Sequence, residues 1–348
     1  GFAWIVRRFA CVSSRGAKGC RRSLSLGSVV GVDCAFARIE ERVQRDEGKR
    51  GIHGFILTGE LKRAATSLSK ATHIVILTGF PCCMDHDQPQ ETDGPPGAVA
   101  IGRACVNLGK TACIVTDTIN YPVVKAAAEG TGIECIHFPP ASKWGTAERE
   151  KVEKLINSAD HVVAIERAGP GIDGRYYTMR ARDMTHLIAP LEKIVVGAQE
   201  RGIETTGIGD GGNELGMGKV RDKVISSAVP KAEVIACAVP TSHLLTCSVS
   251  NWGGYALAAA LGLASLSSSS SSSSLSSSAS PPSSPSSLVL PTDHEEASLL
   301  GRMVRVGARD GVSGQQEATV DGMPLEASFS VLEDLRSILQ SCSTTSED

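Results

Sequence analysis

The pattern of this chain predicts an α/β fold, Rossmann-like and three-layered: a mostly parallel sheet with helices on both faces. Two observations carry that expectation. Short apolar runs of four or five residues recur through the chain, separated by stretches with helical spacing. The runs are continuous rather than alternating, as strands are when both their faces are covered. Length agrees, since 348 residues with 41% hydrophobic content suffice for one large α/β domain or two smaller ones.

Ala35, Ile39 and Val43 recur at four-residue spacing and open the body with a helix, and a second helix is expected over 59–70. His73–Leu77 reads as a buried strand ending in Thr78-Gly79. A polar loop leads to Pro95-Pro96, which suit the first turn of a helix. Ala112–Val115 is a strand ending at Thr116-Asp117, followed by a helix over 121–129 and a strand at Ile133–Ile136. A charged helix over 146–158 precedes the strand His161–Ile165, which ends at Glu166. A helix over 190–200 leads to the strand Thr205–Ile208, ending near Asp210, with another helix from about 213. Glu233–Cys237 reads as a further strand, and Asn251–Leu263 as the last helix of the body.

The flanks differ. Residues 1–32 hold Arg7, Arg8, Arg15, Lys18, Arg21 and Arg22, several serines and no acid, the pattern of a mitochondrial transit segment. Residues 266–287 are almost wholly serine and proline. Such a tract cannot bury apolar area to offset its ordering entropy, so a disordered Ser-rich insert is expected. The expected division is therefore 1–32, a body over 33–265, a linker over 266–292 and a small tail over 293–348 that docks on the body. Within the tail, Gly301–Val306 reads as strand, Asp310–Gly314 as a turn and 328–340 as helix.

Composition excludes several classes. Net charge is -3 and aromatics make up 4%, so neither bulk attraction to nucleic acid nor a base-stacking platform is expected. No stretch is long and apolar enough for a bilayer span. The eleven cysteines include no C-x-x-C pair and read as buried, reduced thiols. A homo-oligomer is compatible with the sequence.

Chemistry concentrates at strand ends, where open parallel sheets bind ligands. Thr78, Asp117, Glu166 and Asp210 all fall there. The densest stretch is Gly207-Ile-Gly-Asp-Gly-Gly-Asn-Glu-Leu-Gly-Met-Gly-Lys219. Its G-x-G-x-x-G is a weak signal alone, and the strand after it lacks the terminal acid that a nicotinamide site needs. No nicotinamide or flavin is therefore expected. Asp210 and Glu214 would repel a bare phosphate, and a cation between ligand and loop removes that conflict. Three readings stay open: a metal-bridged or carboxylate-lined site, a direct phosphate cradle, and a purely structural turn.

Three more segments stand beside it. Asp85–Gly97 is a long acidic loop in which Asp93 can cap the helix that follows, and His86 can act as base, ligand or solvated surface residue. Glu166-Arg167 can ligate metal, move protons or clamp a substrate carboxylate, or can form a structural ion pair at the rim. Tyr176 and Tyr177 either close over the pocket or only pack. Asn251 can cap the last helix while Trp252 fills core, or Gly253-Gly254 can turn backbone amides toward a ligand.

Leu77-Thr-Gly-Phe-Pro81, Glu91-Thr-Asp-Gly-Pro-Pro-Gly97, Ala164-Ile-Glu-Arg-Ala-Gly169, Gly207–Gly218 and Ser250-Asn-Trp-Gly-Gly-Tyr-Ala256 together resemble the D-glutamate cyclase carboxy-terminal domain family. The resemblance spans about 33–265 and resumes in the tail. It implies a mitochondrial matrix enzyme that converts D-glutamate to 5-oxo-D-proline and water. Longer members have a further amino-terminal domain. The Ser-rich tract and Ala238–Leu244 depart from the family pattern.

Cyclisation joins an amine to a carboxylate, so the enzyme must neutralise the carboxylate's charge and help water leave. A divalent cation (Mn²⁺, Mg²⁺ or Ca²⁺) can serve as Lewis acid, and a carboxyl of raised pKa can protonate the departing oxygen. The candidate catalytic residues are Asp93, Glu166 and Asp210, and the candidate metal ligands Glu166, Asp210 and Glu214. Thr78, Gly79, Gly94, Gly211, Gly212, Asn213 and Asn251 are candidates for holding substrate, with Arg167 or Lys219 clamping its α-carboxylate. The competing functions are a metal-dependent phosphatase or nucleotide-handling enzyme, and a non-catalytic ligand-binding protein.

Overall fold

The computed structural model describes residues 26–269 and 289–344. The transit-type segment, apart from its last residues, and most of the Ser/Pro tract lie outside the described residues.

Six parallel strands form one sheet in the order β3-β2-β1-β4-β5-β6. They are β1 (His73–Gly79), β2 (Thr111–Asp117), β3 (Glu134–Phe138), β4 (His161–Arg167), β5 (Glu204–Gly209) and β6 (His243–Thr246). This is the doubly wound order, in which the strand order reverses between β1 and β4 and opens a crevice at their carboxyl ends. The helices are α1 (Leu26–Val43), α2 (Glu60–Lys70), α3 (Pro95–Asn107), α4 (Tyr121–Ala127), α5 (Thr146–Ser158), α6 (Glu192–Glu200), α7 (Arg221–Ile225), α8 (Ala232–Ile235), α9 (Ser250–Ser269), α10 (Asp293–Arg305) and α11 (Leu325–Thr344).

Successive strand residues feed opposite cores, as the two-residue period of a strand requires. Ile74 and Ile76 face one core with Ile165, Ile208, Trp252 and Leu335. Val75 and Leu77 face the other with Ile156, Ile194, Leu215 and Val224. The first core joins α1, α2, α3 and α9 to α10 and α11, so the segment after the Ser-rich tract shares the main hydrophobic interior. β4 is buried along its whole length, as the centre of a sheet must be.

α3 and α9 pack closely because both carry glycine at the crossing. A Cβ on Gly254 would lie 2.5 Å from the Gly97 Cα, and one on Gly97 would lie 2.6 Å from Ile165 Cδ1. Any side chain there would push the helices apart. Gly254 therefore serves packing.

Three expected elements take other forms. Glu233–Cys237 is the short helix α8 followed by a turn, and the sixth strand lies further on at His243–Thr246. Val234 is 42% exposed, which no central strand allows. Gly301–Arg305 belongs to α10, which Val306 ends and which is opened by a capping box in which Thr292 and Glu295 satisfy each other's backbone amides. Leu299, Leu300 and Met303 are its buried face, at helical spacing. Helix does not begin at 213. Glu214 turns back instead, Leu215 N donates to Arg167 O, and regular helix starts at Arg221. α9 runs on to Ser269, into the start of the serine tract. Among the described residues no helix is long and apolar enough to cross a membrane.

Candidate functional site

The crevice at the β1/β4 switch point gathers three buried carboxyl groups. One oxygen each from Asp93, Glu166 and Asp210 lie within 4.8 Å of one another. Asp93 comes from the loop before α3, Glu166 from the end of β4 and Asp210 from the loop after β5.

Glu166 owes its position to an irregularity. The register between β1 and β4 passes from Thr78 opposite Ile165 to Gly79 opposite Arg167, so Glu166 is the extra residue of a bulge. Its φ is +38°, a conformation that residues with a Cβ rarely adopt. Bulges re-aim side chains, and this one sends Glu166 into the crevice and Arg167 beneath the rim. Space for Glu166 depends on Gly94, whose φ is +100°. A Cβ there would lie 2.8 Å from Glu166 Cβ and 2.8 Å from Thr78 Oγ1. Ser250 Oγ donates to Glu166 Oε2 at 2.5 Å.

Asp93 is held by the backbone. Its Oδ1 accepts from Gly94 N (2.9 Å) and Asn251 N (2.7 Å), and its Oδ2 from Ser250 N (2.9 Å). It therefore caps α9 rather than only the helix that follows it. Asp210 is 2% exposed, and its Oδ2 has no hydrogen-bond partner among the described residues. A buried carboxylate oxygen without a partner is costly unless it meets a ligand. Thr78 Oγ1 is likewise buried and unpartnered.

Electrostatics follow from crowding. Burial pushes the Glu166 carboxyl well above its usual range, and Glu214, Asp93, Glu91 and Asp321 push it further. Asp93 is raised by burial and then by Asp321, against the pull of its backbone donors. Asp210 is raised by burial; Arg50 opposes this, while Glu166 and Asp321 add to it. Glu91, between Cys82 and the cluster, is raised by burial, Asp321 and Asp93. Carboxyls in this state hold protons or need a cation.

The glycine loop is not a phosphate cradle. Gly211 N donates to Glu214 Oε1 at 2.6 Å and Gly212 N to Glu214 Oε2 at 2.7 Å. Asp210 N also faces Glu214, at 3.3 Å. The amides that would bind an anion already bind an internal one. Both Glu214 oxygens are turned to the loop, and Asp93 takes its expected place in the three-oxygen set. Gly211 and Gly212 likewise spend their amides internally.

Other expected residues are placed elsewhere. Arg167 is fully buried and forms a forked ion pair with Asp117, with further bonds to Gly79 O (3.3 Å) and Ala189 O (2.7 Å). It has no free fork for a substrate, and Asp117 is spent with it. Burial opposes the charge on Arg167, but Asp117 outweighs that and raises its pKa. Lys219 Nζ bonds Glu60 (2.8 Å) and Ser242 O (2.6 Å), none of them in the cluster. Asn213 Nδ2 holds Tyr177 O. Asn251 Oδ1 accepts from Gly94 N and Gly97 N, and its Nδ2 donates to Thr92 O. Both amides thus position the loops around the cluster. His86 is exposed, and Asp85 pairs with Arg182 outside the crevice. Tyr176 bonds Glu192, and Tyr177 bonds Asp173.

Two residues of the cluster carry no local sequence signal, Arg50 and Asp321. Arg50 Nη1 lies 3.5 Å from Asp210 Oδ1, and its Nη2 lies 2.5 Å from Asp321 Oδ2, an ion pair outside hydrogen-bond geometry. Burial works against the Arg50 charge, but Asp210, Asp321, Glu166 and Asp93 outweigh it and raise its pKa. Asp321 arrives from the carboxy-terminal segment. Thr92 N donates to Arg309 O, Arg309 N to Gln90 O and Thr92 Oγ1 to Thr319 O, which laces that segment to the Asp93 loop. Asp310 shapes it by accepting from Val312 N, Ser313 N, Thr319 Oγ1 and Gly322 N.

Human D-glutamate cyclase, mitochondrial, is 37% identical over 301 residues, covering 82% of this chain and 48% of the human protein. The chain thus spans about half the length of the curated relative it matches. Neither that name nor the family's points to phosphate chemistry. The sequence pattern of the family described as D-glutamate cyclase-like, C-terminal matches residues 39–336, from α1 through most of α11. With all five motif segments and the three clustered acids inside that span, the chain belongs to the D-glutamate cyclase-like carboxy-terminal family.

Proposed function

We propose that this chain is a hydro-lyase of the mitochondrial matrix that closes D-glutamate to 5-oxo-D-proline with loss of water. The observation that carries this reading is the buried meeting of Asp93, Glu166 and Asp210 within 4.8 Å. Family membership and the human relative's name support the substrate, and that name supports a mitochondrial location.

The proton balance says what the site must do. Ring closure forms one C–N bond and breaks one C–O bond at the side-chain carboxyl. Two of the three ammonium protons leave with that oxygen as water, and the third stays on the amide nitrogen. One group must take a proton from nitrogen and another must give one to oxygen. Glu166, its carboxyl raised by burial and by its acidic neighbours, is assigned the donor role. Asp210, tempered by Arg50, is assigned the acceptor role. Asp93 is fixed by three backbone amides and holds the geometry. Enclosure of the folded substrate adds the proximity effect.

The donor set also fits a divalent cation. It consists of hard carboxylate oxygens, and the orphaned Asp210 Oδ2 supplies an unfilled ligand position. Asp93 and Asp210 would hold Mn²⁺, Mg²⁺ or Ca²⁺. Bound there, such an ion would withdraw electron density from the side-chain carboxyl.

The test is formation of 5-oxo-D-proline from D-glutamate by the chain, with Mn²⁺ added and with chelator. Product in the presence of Mn²⁺ supports the reading. D-glutamate binding without product under either condition leaves a ligand-binding protein in its place.

A further inference from the structure

We propose that Arg50 anchors the α-carboxylate of the substrate, and that Asp321 holds its guanidinium in position until the substrate arrives. This rests on the cyclase reading above.

D-Glutamate brings two carboxylates into a centre already lined by Asp93, Glu166, Asp210 and Asp321. Like charges at this range repel strongly in a desolvated site. The side-chain carboxyl reacts, so its charge is dealt with at the acids. The α-carboxylate passes unchanged into the product, so it needs a partner that stays charged and gives up no proton. A guanidinium meets both conditions and matches a carboxylate with two parallel bonds.

Arg50 is the guanidinium placed to do this. Its side chain is 19% exposed, whereas those of Asp210 and Asp321 are 2% exposed, so it is the most accessible of the three. Its backbone is fixed. Arg50 N donates to Asp46 Oδ1 (2.7 Å), Gly51 N to Asp46 Oδ2 (2.8 Å), and Gly48 N to Ser248 Oγ (2.9 Å), two residues before α9. Neither of its contacts to the cluster is an aligned hydrogen bond, since the Asp210 contact is long at 3.5 Å and the Asp321 ion pair lacks hydrogen-bond alignment. An incoming carboxylate can replace Asp321 on the fork without leaving the guanidinium unpaired. Arg167 and Lys219 cannot serve, because Asp117 and Glu60 already hold them.

The test compares ligands that differ only in the group Arg50 would hold. 4-Aminobutyrate is glutamate without its α-carboxylate. Calorimetry on the full chain measures both ligands with the wild type, Arg50→Gln and Arg50→Lys. Arg50→Gln is expected to weaken D-glutamate about 30- to 100-fold and 4-aminobutyrate less than about 3-fold, with Arg50→Lys in between. Equal losses for the two ligands would reduce Arg50 to a structural counter-ion and overturn the proposal, as would a wild type that does not bind D-glutamate. Selective loss in a protein that forms no 5-oxo-D-proline leaves the anchor standing while the cyclase reading falls. If Arg50→Gln does not fold, the double variant Arg50→Gln/Asp321→Asn restores the charge balance and takes its place under the same criteria.

Discussion

Asp93 and Asn251 cap each other's helices. The Asp93 carboxylate accepts from Ser250 N and Asn251 N at the start of α9, while Asn251 Oδ1 accepts from Gly94 N and Gly97 N at the start of α3. Two helix amino-terminal ends are thereby fixed beside the acidic cluster, where their positive dipole ends oppose its charge. Asn251→Ala should cost about 1–2 kcal/mol of stability, the usual worth of a lost cap. It should also lower turnover, because the loop carrying Asp93 loses an anchor. Urea unfolding and a product assay on the same preparation check both parts.

Asp210→Asn separates chemistry from folding. The side chain keeps its shape and loses its charge, so turnover should fall at least about 100-fold as proton transfer is lost. The melting temperature should hold or rise, since a crowded buried charge is removed. Unchanged turnover takes Asp210 out of the mechanism.

Gly94→Ala tests the space made for Glu166. A methyl group there would sit 2.8 Å from both Glu166 Cβ and Thr78 Oγ1 at a φ of +100°. We expect a loss of about 2 kcal/mol or more, together with loss of turnover. Gly174→Ala is the control. Its φ is +77° with nothing within 4 Å of the added carbon, so it should cost about 1 kcal/mol and spare turnover. Equal costs at the two glycines would mean that backbone conformation alone sets the penalty.

Glu296 gives stability a pH dependence remote from the cluster. It accepts from Tyr255 Oη at 2.6 Å, and burial, then Asp293, hold its carboxyl up at about 7. The hydrogen bond from Tyr255 works the other way. Because the folded value is raised, its contribution is complete below the ordinary carboxyl range and is lost as pH climbs through about 7. Glu296→Gln should therefore raise the melting temperature at pH 8 and change it little at pH 5. The difference between those pH values corresponds to on the order of 2–3 kcal/mol. A parallel shift at both pH values would rule out this titration.

The sheet was readable because its strands are continuous apolar runs, and five of the six stand where those runs predict. The miss at Glu233–Cys237 has a plain cause. A short apolar stretch has no period to separate one helical turn from a strand, while the true β6 has only Leu244 and Leu245 between polar ends. At the site, Asp93, Glu166 and Asp210 were legible as strand-end or loop acids within dense motifs. Arg167 stays open in the sequence between a clamp and a structural ion pair because its partner, Asp117, lies 50 residues away at the end of another strand. Arg50 and Asp321 stand in loops joined to the cluster only by the fold. Gly51 and Gly322 mark those loops as turns without saying what they face.

The lacing of Thr92 to Arg309 and Thr319 has a consequence for biosynthesis. The strands and the Asp93 loop leave the ribosome well before residues 308–322 are made, so the nascent chain carries an unfinished acidic centre while the serine tract is translated. Completion of the acidic centre therefore waits for the carboxy-terminal segment, and a messenger cut short before Asp321 encodes every strand of the sheet but neither α11, which fills part of the main core, nor the partner that holds Arg50 in place.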